Sequence, residues 1–158
     1  MLIDPQPGTY ALILYSNSTA RIRIGRLGVM QLQRGYYVYV GSALGPGGLR
    51  ARIAHHQGIS KRPHWHIDYL RAHTRLHSVW VNYDGKRHEH EWARSITRLG
   101  DATFPLPGFG SSDCTCPSHL HFFKRCQAPF STLIIASIAP SRSRGPAGRQ
   151  WSFVRRCG

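Results

Sequence analysis

The chain has 158 residues, a length that suits one domain with a single buried core. Hydrophobic residues make up 41% and charged residues 18%, and the longest apolar run, LIIASIA at 133–139, is far too short to cross a bilayer, so a soluble fold with no membrane span is expected. The 21 Lys and Arg against 7 Asp and Glu leave a net charge of +14, which argues for a polyanionic partner, nucleic acid first.

The charge is unevenly spread. Residues 1–113 hold 14 basic and all 7 acidic side chains, a net +7, and the remaining residues carry the other +7. The opening MLIDPQPGTYALIL has an acid and two prolines where a secretory signal needs a basic start, so a cytoplasmic location is expected, with the four cysteines as thiols. Residues 1–125 are read as one folded domain. The stretch 126–158, rich in Ser, Arg, Gly and Pro without sustained periodicity, is read as a basic, disordered tail.

In chain order, GTYALILY (8–15) is rich in β-formers and stops at the turn signal SNST, which predicts a strand. RIRIGRLGVMQLQ (21–33) alternates apolar and polar residues through Gly25 and predicts a second strand with a break or bulge. GYYVYVG (35–41) predicts a third, with Tyr37 and Tyr39 on one face and Tyr36, Val38 and Val40 on the other. After the turn SALGPGG, Leu49 and Ile53 form the buried stripe of a short helix that also aligns Arg52 with His56 at i, i+4. WHIDYLRAH (65–73) reads as a second short helix, LHSVWVNYD (76–84) as a strand and HEHEWARSITRL (88–99) as a helix burying Trp92, Ala93, Ile96 and Leu99. The order β-β-β-α-α-β-α predicts an α+β, mixed α/β domain around a small, mostly antiparallel sheet flanked by helices.

The Gly-rich turn is neither a P-loop, lacking the Lys and hydroxyl residue at the helix start, nor a dinucleotide fingerprint, whose glycine spacing Gly41, Gly45, Gly47 and Gly48 do not supply. Its neighbours carry more. GTY ends in Tyr10, YVG begins with Tyr39, RIAHH supplies Arg52 and His56, and an acidic residue follows in HEHEWA. This ordered set resembles the GIY-YIG nuclease superfamily, whose small mixed domain implies metal-dependent cleavage of DNA phosphodiesters. HWHIDYL (64–70), HEHEWA and GFGSSDCTCPSHL (108–120) look like one branch of it, the Uri-superfamily endonucleases, also found fused to endonuclease-III-like glycosylases in archaea. The likeness covers about residues 8–124. It departs from the wider superfamily in the long separation of GTY and YVG, residues 11–38, and in Thr9 and Val40 at positions that hold Ile, where the middle residue is taken to serve the strand.

Phosphodiester hydrolysis needs an activated water, neutralisation of the phosphorane charge and help for the leaving oxygen. By resemblance, Tyr10 or Tyr39 lies near the attacking water, and the choice of general base between them stays open. Arg52 suits the scissile phosphate, because its planar fork fits two phosphate oxygens and keeps its charge, and His56 one turn later suits proton transfer or phosphate contact. A hard cation, Mg²⁺ or Mn²⁺, asks for a carboxylate ligand. Glu89 shares the wheel position of Trp92, Ala93 and Ile96 whereas Glu91 points away, so Glu89 is the expected ligand. The resemblance also implies places near the site for His66 and Asp68, and Asp113, with Ser112 and His119, reads either as support or a phosphate-side contact or as part of a structural loop.

Eight of the ten histidines lie between His55 and His90, and Cys114 and Cys116 follow. Structural zinc is nevertheless disfavoured, since Cys-x-Cys is tighter than finger spacing and no second cysteine pair follows at that spacing. Arg50, Lys61, Arg62 and Arg71 are the expected contacts to the nucleic-acid backbone, which position a duplex without reading its sequence. The predicted function is therefore a metal-dependent DNA endonuclease in repair or processing, with RNA as an open substrate alternative. Its rival is a noncatalytic nucleic-acid-binding module with the same fold.

Overall fold

In the computed structural model, which describes residues 3–125 and the backbone of 151–155, the elements run β1 (Gly8–Ser16), β2 (Ala20–Ile24), β3 (Gly28–Leu32), β4 (Gly35–Ala43), α1 (Gly48–Gln57), α2 (His66–Arg71), β5 (Arg75–Asn82), α3 (Glu89–Thr97), β6 (Leu120–Phe123) and β7 (Trp151–Arg155). The main sheet has the order β6-β4-β1-β5-β7, with every neighbouring pair antiparallel. The predicted α+β class with a small antiparallel sheet is what the chain forms.

The strand β1 is apolar almost without interruption because it is central in the sheet and covered on both faces. On one face Tyr10, Leu12, Leu14, Tyr37, Val79 and Val81 pack against Leu49 and Ile53 of α1, Ile67 and Leu70 of α2, and the inward side of β2 and β3. On the other face Ala11, Ile13, Val38, Val40 and Trp80 pack against Trp92, Ala93 and Ile96 of α3. The sheet is thus the middle of three layers, and the alternation read from GYYVYVG divides correctly between its faces.

The segment 21–33 departs from its prediction. It is a hairpin, β2 paired with β3 as a separate two-stranded sheet, and not one broken strand. Three residues, Gly25 to Leu27, turn the chain, with Gly25 at φ +49° and the Leu27 N–H donating to the Ile24 carbonyl. A three-residue loop between Ile24 and Gly28 preserves the alternation, so Ile22, Ile24, Met30 and Leu32 all face inward and the period of two runs unbroken through the turn. Strands β6 and β7 were not anticipated. LHFF is four residues at the end of a Cys-, Ser- and Pro-rich loop, and it is held by pairing with β4. Trp151–Arg155 lies within the stretch expected to be a tail and pairs with β5, while the rest of 126–158 falls outside the described residues.

Candidate active site

Antiparallel pairing of β1 with β4 sets Tyr10 opposite Gly41 and Leu12 opposite Tyr39, so the two tyrosines are diagonal neighbours on one face with ring centroids 6.4 Å apart. Both motif glycines are there for space. A Cβ on Gly41 would stand 2.6 Å from the Tyr10 hydroxyl oxygen, and one on Gly8 would collide with the Asn82 carbonyl oxygen on β5. Gly41 lets Tyr10 lie flat across its neighbouring strand; Gly8 lets β5 approach β1.

The turn before α1 has a different task. Gly48 has φ +54° and a Cβ there would strike the Gln6 carbonyl, which accepts the Leu49 N–H, while the Gly48 N–H donates to Gly45. Backbone donors that a phosphate cradle would need are thus spent within the chain. What the turn achieves is the aim of α1, which carries Arg52 and His56 under the tyrosines. The Tyr10 hydroxyl and His56 Nε2 are hydrogen-bonded at 2.8 Å. Burial pushes the His56 pKa down from 6.5 to about 3, with the charges of His55 and Arg52 adding to the fall, so the ring is neutral at physiological pH. Burial raises both tyrosine hydroxyls above their ordinary range; nearby Arg52 opposes the rise without cancelling it. Tyr10 and Tyr39 are therefore phenols, not phenolates.

These side chains open on a cleft of about 170 Å³ whose lining includes Tyr10, Tyr39, Arg52, His56, Glu89 and Asp113. The sequence-predicted catalytic residues and metal ligand thus share one concavity. The Arg52 guanidinium stacks on Trp65, 4.2 Å from its ring centroid, which holds the fork in one plane. Glu89 is 13% exposed and Glu91 68% exposed, the latter paired with His88 at 3.3 Å away from the cleft. Glu89 reaches the cleft from the layer opposite the tyrosines, through its place in the first turn of α3, rather than across the sheet. Its Oε1 lies 3.3 Å from Arg87 Nη1 and 3.7 Å from His90 Nε2. The hard oxygens of Glu89 and Asp113 suit a Mg²⁺-like cation.

Thr9 does more than serve its strand. Fully buried, its hydroxyl donates to the Lys86 carbonyl at 3.0 Å and accepts the His88 N–H at 2.9 Å, tying the chain just ahead of Glu89 to β1.

Other predicted residues stand one step away. Asp68 does not line the cleft; one oxygen takes His55 Nε2 at 2.8 Å and the other accepts the backbone N–H groups of His64 and Trp65. Burial pushes this carboxyl up, but the His64 N–H, the His55 ring and the Trp65 N–H outweigh it and leave the pKa below the ordinary value. Asp68 thereby sets the chain entering α2 and the backbone of Trp65, on which Arg52 rests. His66 does not pair with Asp68; its Nδ1 accepts the Gly110 N–H at 3.0 Å and so holds the 108–120 loop beside Tyr39.

Lys61 and Arg62 are exposed on the loop between α1 and α2, and Arg50 is exposed with its Nε donating to the Ile3 carbonyl. Arg71 overturns its expectation as a surface contact. It is 5% exposed and donates to the His56 carbonyl at the end of α1 and the Thr74 carbonyl ahead of β5, so its donors are spent inside the fold.

The cleft also contains Trp65, Arg87, His90, Cys114 and His119, of which only His119 was read from the sequence as a site candidate, beside Asp113. Cys-x-Cys-x-x-His in 114–119 was the available signal for the last two; Trp65 and Arg87 had no periodic signature.

A family model described as "Domain of unknown function DUF123" matches residues 9–138. No curated protein and no solved structure matches the chain. No helix among the described residues is long and apolar enough to cross a membrane.

Proposed function

The chain belongs to the DUF123 family, a domain of unknown function, and from that premise and the cleft we propose that it is a metal-dependent endonuclease of the GIY-YIG type that hydrolyses DNA phosphodiesters. The observation that carries the reading is the meeting of two tyrosines, Arg52 and two carboxylates in one cleft. A module that only binds a polyanion has no use for Glu89 there, since a carboxylate repels phosphate unless a cation lies between them.

In this reading Arg52, its orientation restricted by stacking on Trp65, takes two nonbridging oxygens of the scissile phosphate and stabilises the charge that builds on them. Tyr10 shares a hydrogen bond with neutral His56, and a lone pair left on its oxygen accepts a hydrogen bond that orients the attacking water. Tyr39 orients the same water from the adjacent strand. Glu89 and Asp113 would hold the cation. When bound, Mg²⁺ or Mn²⁺ supplies charge neutralisation on the phosphate and a more acidic water. The water oxygen forms the new bond to phosphorus as the bond to the ester oxygen breaks; the water gives up one proton to solvent and the departing oxygen takes one from solvent, so the step balances. Arg50, Lys61 and Arg62 extend the basic surface for the flanking backbone.

The test is cleavage of nicked, flapped, branched and linear DNA, and of matched RNA, with and without Mg²⁺. Cleavage by the unaltered chain should fall at least about a hundredfold in Arg52→Ala and Glu89→Ala. Equal cleavage by the variants would overturn the residue roles, and binding without cleavage of any substrate would support the noncatalytic module instead.

A further inference from the structure

Behind Glu89 stand four side chains that the proposed hydrolysis does not use, three of which (His90, Cys114 and His119) line the cleft. His90 projects from the first turn of α3, and Cys114, Cys116 and His119 come from the loop leading to β6. One donor atom from each lies within 4.8 Å of every other. His90 Nδ1 is 3.3 Å from Cys116 Sγ, and Cys114 Sγ is 3.5 Å from His119 Nε2.

Those distances have a meaning in coordination chemistry. A tetrahedral Zn²⁺ with Zn–S of about 2.3 Å and Zn–N of about 2.0 Å holds its sulfur and nitrogen ligands roughly 3.5 Å apart. The two contacts therefore stand at the edge length of a zinc tetrahedron, with the four atoms drawn from two separate elements. Two soft sulfurs and two imidazole nitrogens form a donor set that selects Zn²⁺ over the hard cation suited to Glu89 and Asp113. Both thiols are free cysteines.

We infer that His90, Cys114, Cys116 and His119 form a structural zinc site of Cys₂His₂ type that fastens the start of α3 to the 108–120 loop. Four protein ligands close the coordination sphere, so the ion takes no substrate. With Nδ1 on the metal, His90 turns Nε2 toward the Glu89 carboxylate 3.7 Å away, the partner that metal-bound histidines commonly have. The site would thereby fix the wall that carries both Glu89 and Asp113. Sequence spacing argued against zinc because finger motifs place ligand pairs on one local unit; here the fourth ligand comes from a helix 24 residues before Cys114, counting from His90.

The metal content of the 158-residue chain, purified without chelator, decides the matter with no DNA present, so its outcome is separate from that of the nuclease reading. About one zinc per chain is expected, and Co²⁺ in its place should give the visible bands of a tetrahedral thiolate complex. Zinc affinity should fall at least about tenfold in Cys114→Ser/Cys116→Ser and in His90→Ala. It should persist in Cys126→Ser/Cys157→Ser, which removes the two other thiols of the chain. Absence of zinc and of a cobalt spectrum from the unaltered chain, a Cys114–Cys116 disulfide in its place, or loss of zinc in Cys126→Ser/Cys157→Ser would each overturn the site. The cobalt spectrum of the unaltered chain reads the ligand set even if a variant fails to fold.

Discussion

Gly8 and Gly41 are spaced alike in their motifs but guard against different neighbours. At Gly41 the added methyl would meet the far end of a side chain, the Tyr10 hydroxyl; at Gly8 it would meet the backbone of Asn82, which cannot swing aside without opening the β1–β5 ladder. Gly41→Ala should therefore cost about 1–3 kcal/mol and displace Tyr10, abolishing cleavage in a chain that still folds. Gly8→Ala should lower the thermal midpoint further, and equal midpoints for the two would contradict the contact geometry. His56 yields a pH prediction. Its folded pKa of about 3 lies below the ordinary 6.5, so the unfolded chain binds the proton first and stability is lost as pH falls from 6.5 toward 3. Urea midpoints should decline as pH falls from 6.5 to 4 in the unaltered chain and decline less steeply in His56→Gln, the remaining slope coming from His121, whose pKa burial pushes down to about 4.

At the scale of the element, the first turn of α3 is the piece whose placement matters most, because it supplies Glu89. It is held to β1 through Thr9, whose single hydroxyl serves both Lys86 and His88. Thr9→Val keeps the shape and removes both bonds, leaving the half-buried His88 N–H without its acceptor. The expected loss is about 1–3 kcal/mol of stability, with turnover reduced more than substrate affinity. Unchanged turnover in a less stable chain would show that Glu89 is positioned by other contacts. The helix wheel selected Glu89 over Glu91 from the company of Trp92, Ala93 and Ile96, and Glu89 is indeed the one in the cleft. The wheel argument assumed a carboxylate facing the sheet; the actual route is around the sheet's end.

For the molecule as a whole, the +14 charge should make nucleic-acid binding strongly salt-dependent. Lys61→Ala and Arg62→Ala, exposed on the loop between α1 and α2, should each reduce the slope of log K against log salt by about one. Arg71→Ala should leave that slope unchanged while destabilising the fold, since its charge is buried under the His56 and Thr74 carbonyls. A reduced slope for Arg71→Ala would return it to the binding surface.

Local pattern in the sequence determined the α+β class, the alternation of faces in β4, the pairing of Arg52 with His56 along α1 and the placing of Glu89 on the inner side of α3. Each of these depends on residues within one helical turn or a few positions of a strand, where periodicity is direct evidence. The resemblance of GTY, YVG and RIAHH named the residues that the fold draws together. Tertiary structure alone decided the rest. The β2–β3 hairpin was hidden because its turn preserves the period of two, and β6 is a strand only because β4 offers it an edge. Arg71 is buried by carbonyls that no pattern announces. The gathering of His90 with Cys114, Cys116 and His119 joins a helix to a distant loop, and such a meeting is set by how layers pack, which spacing along the chain does not encode.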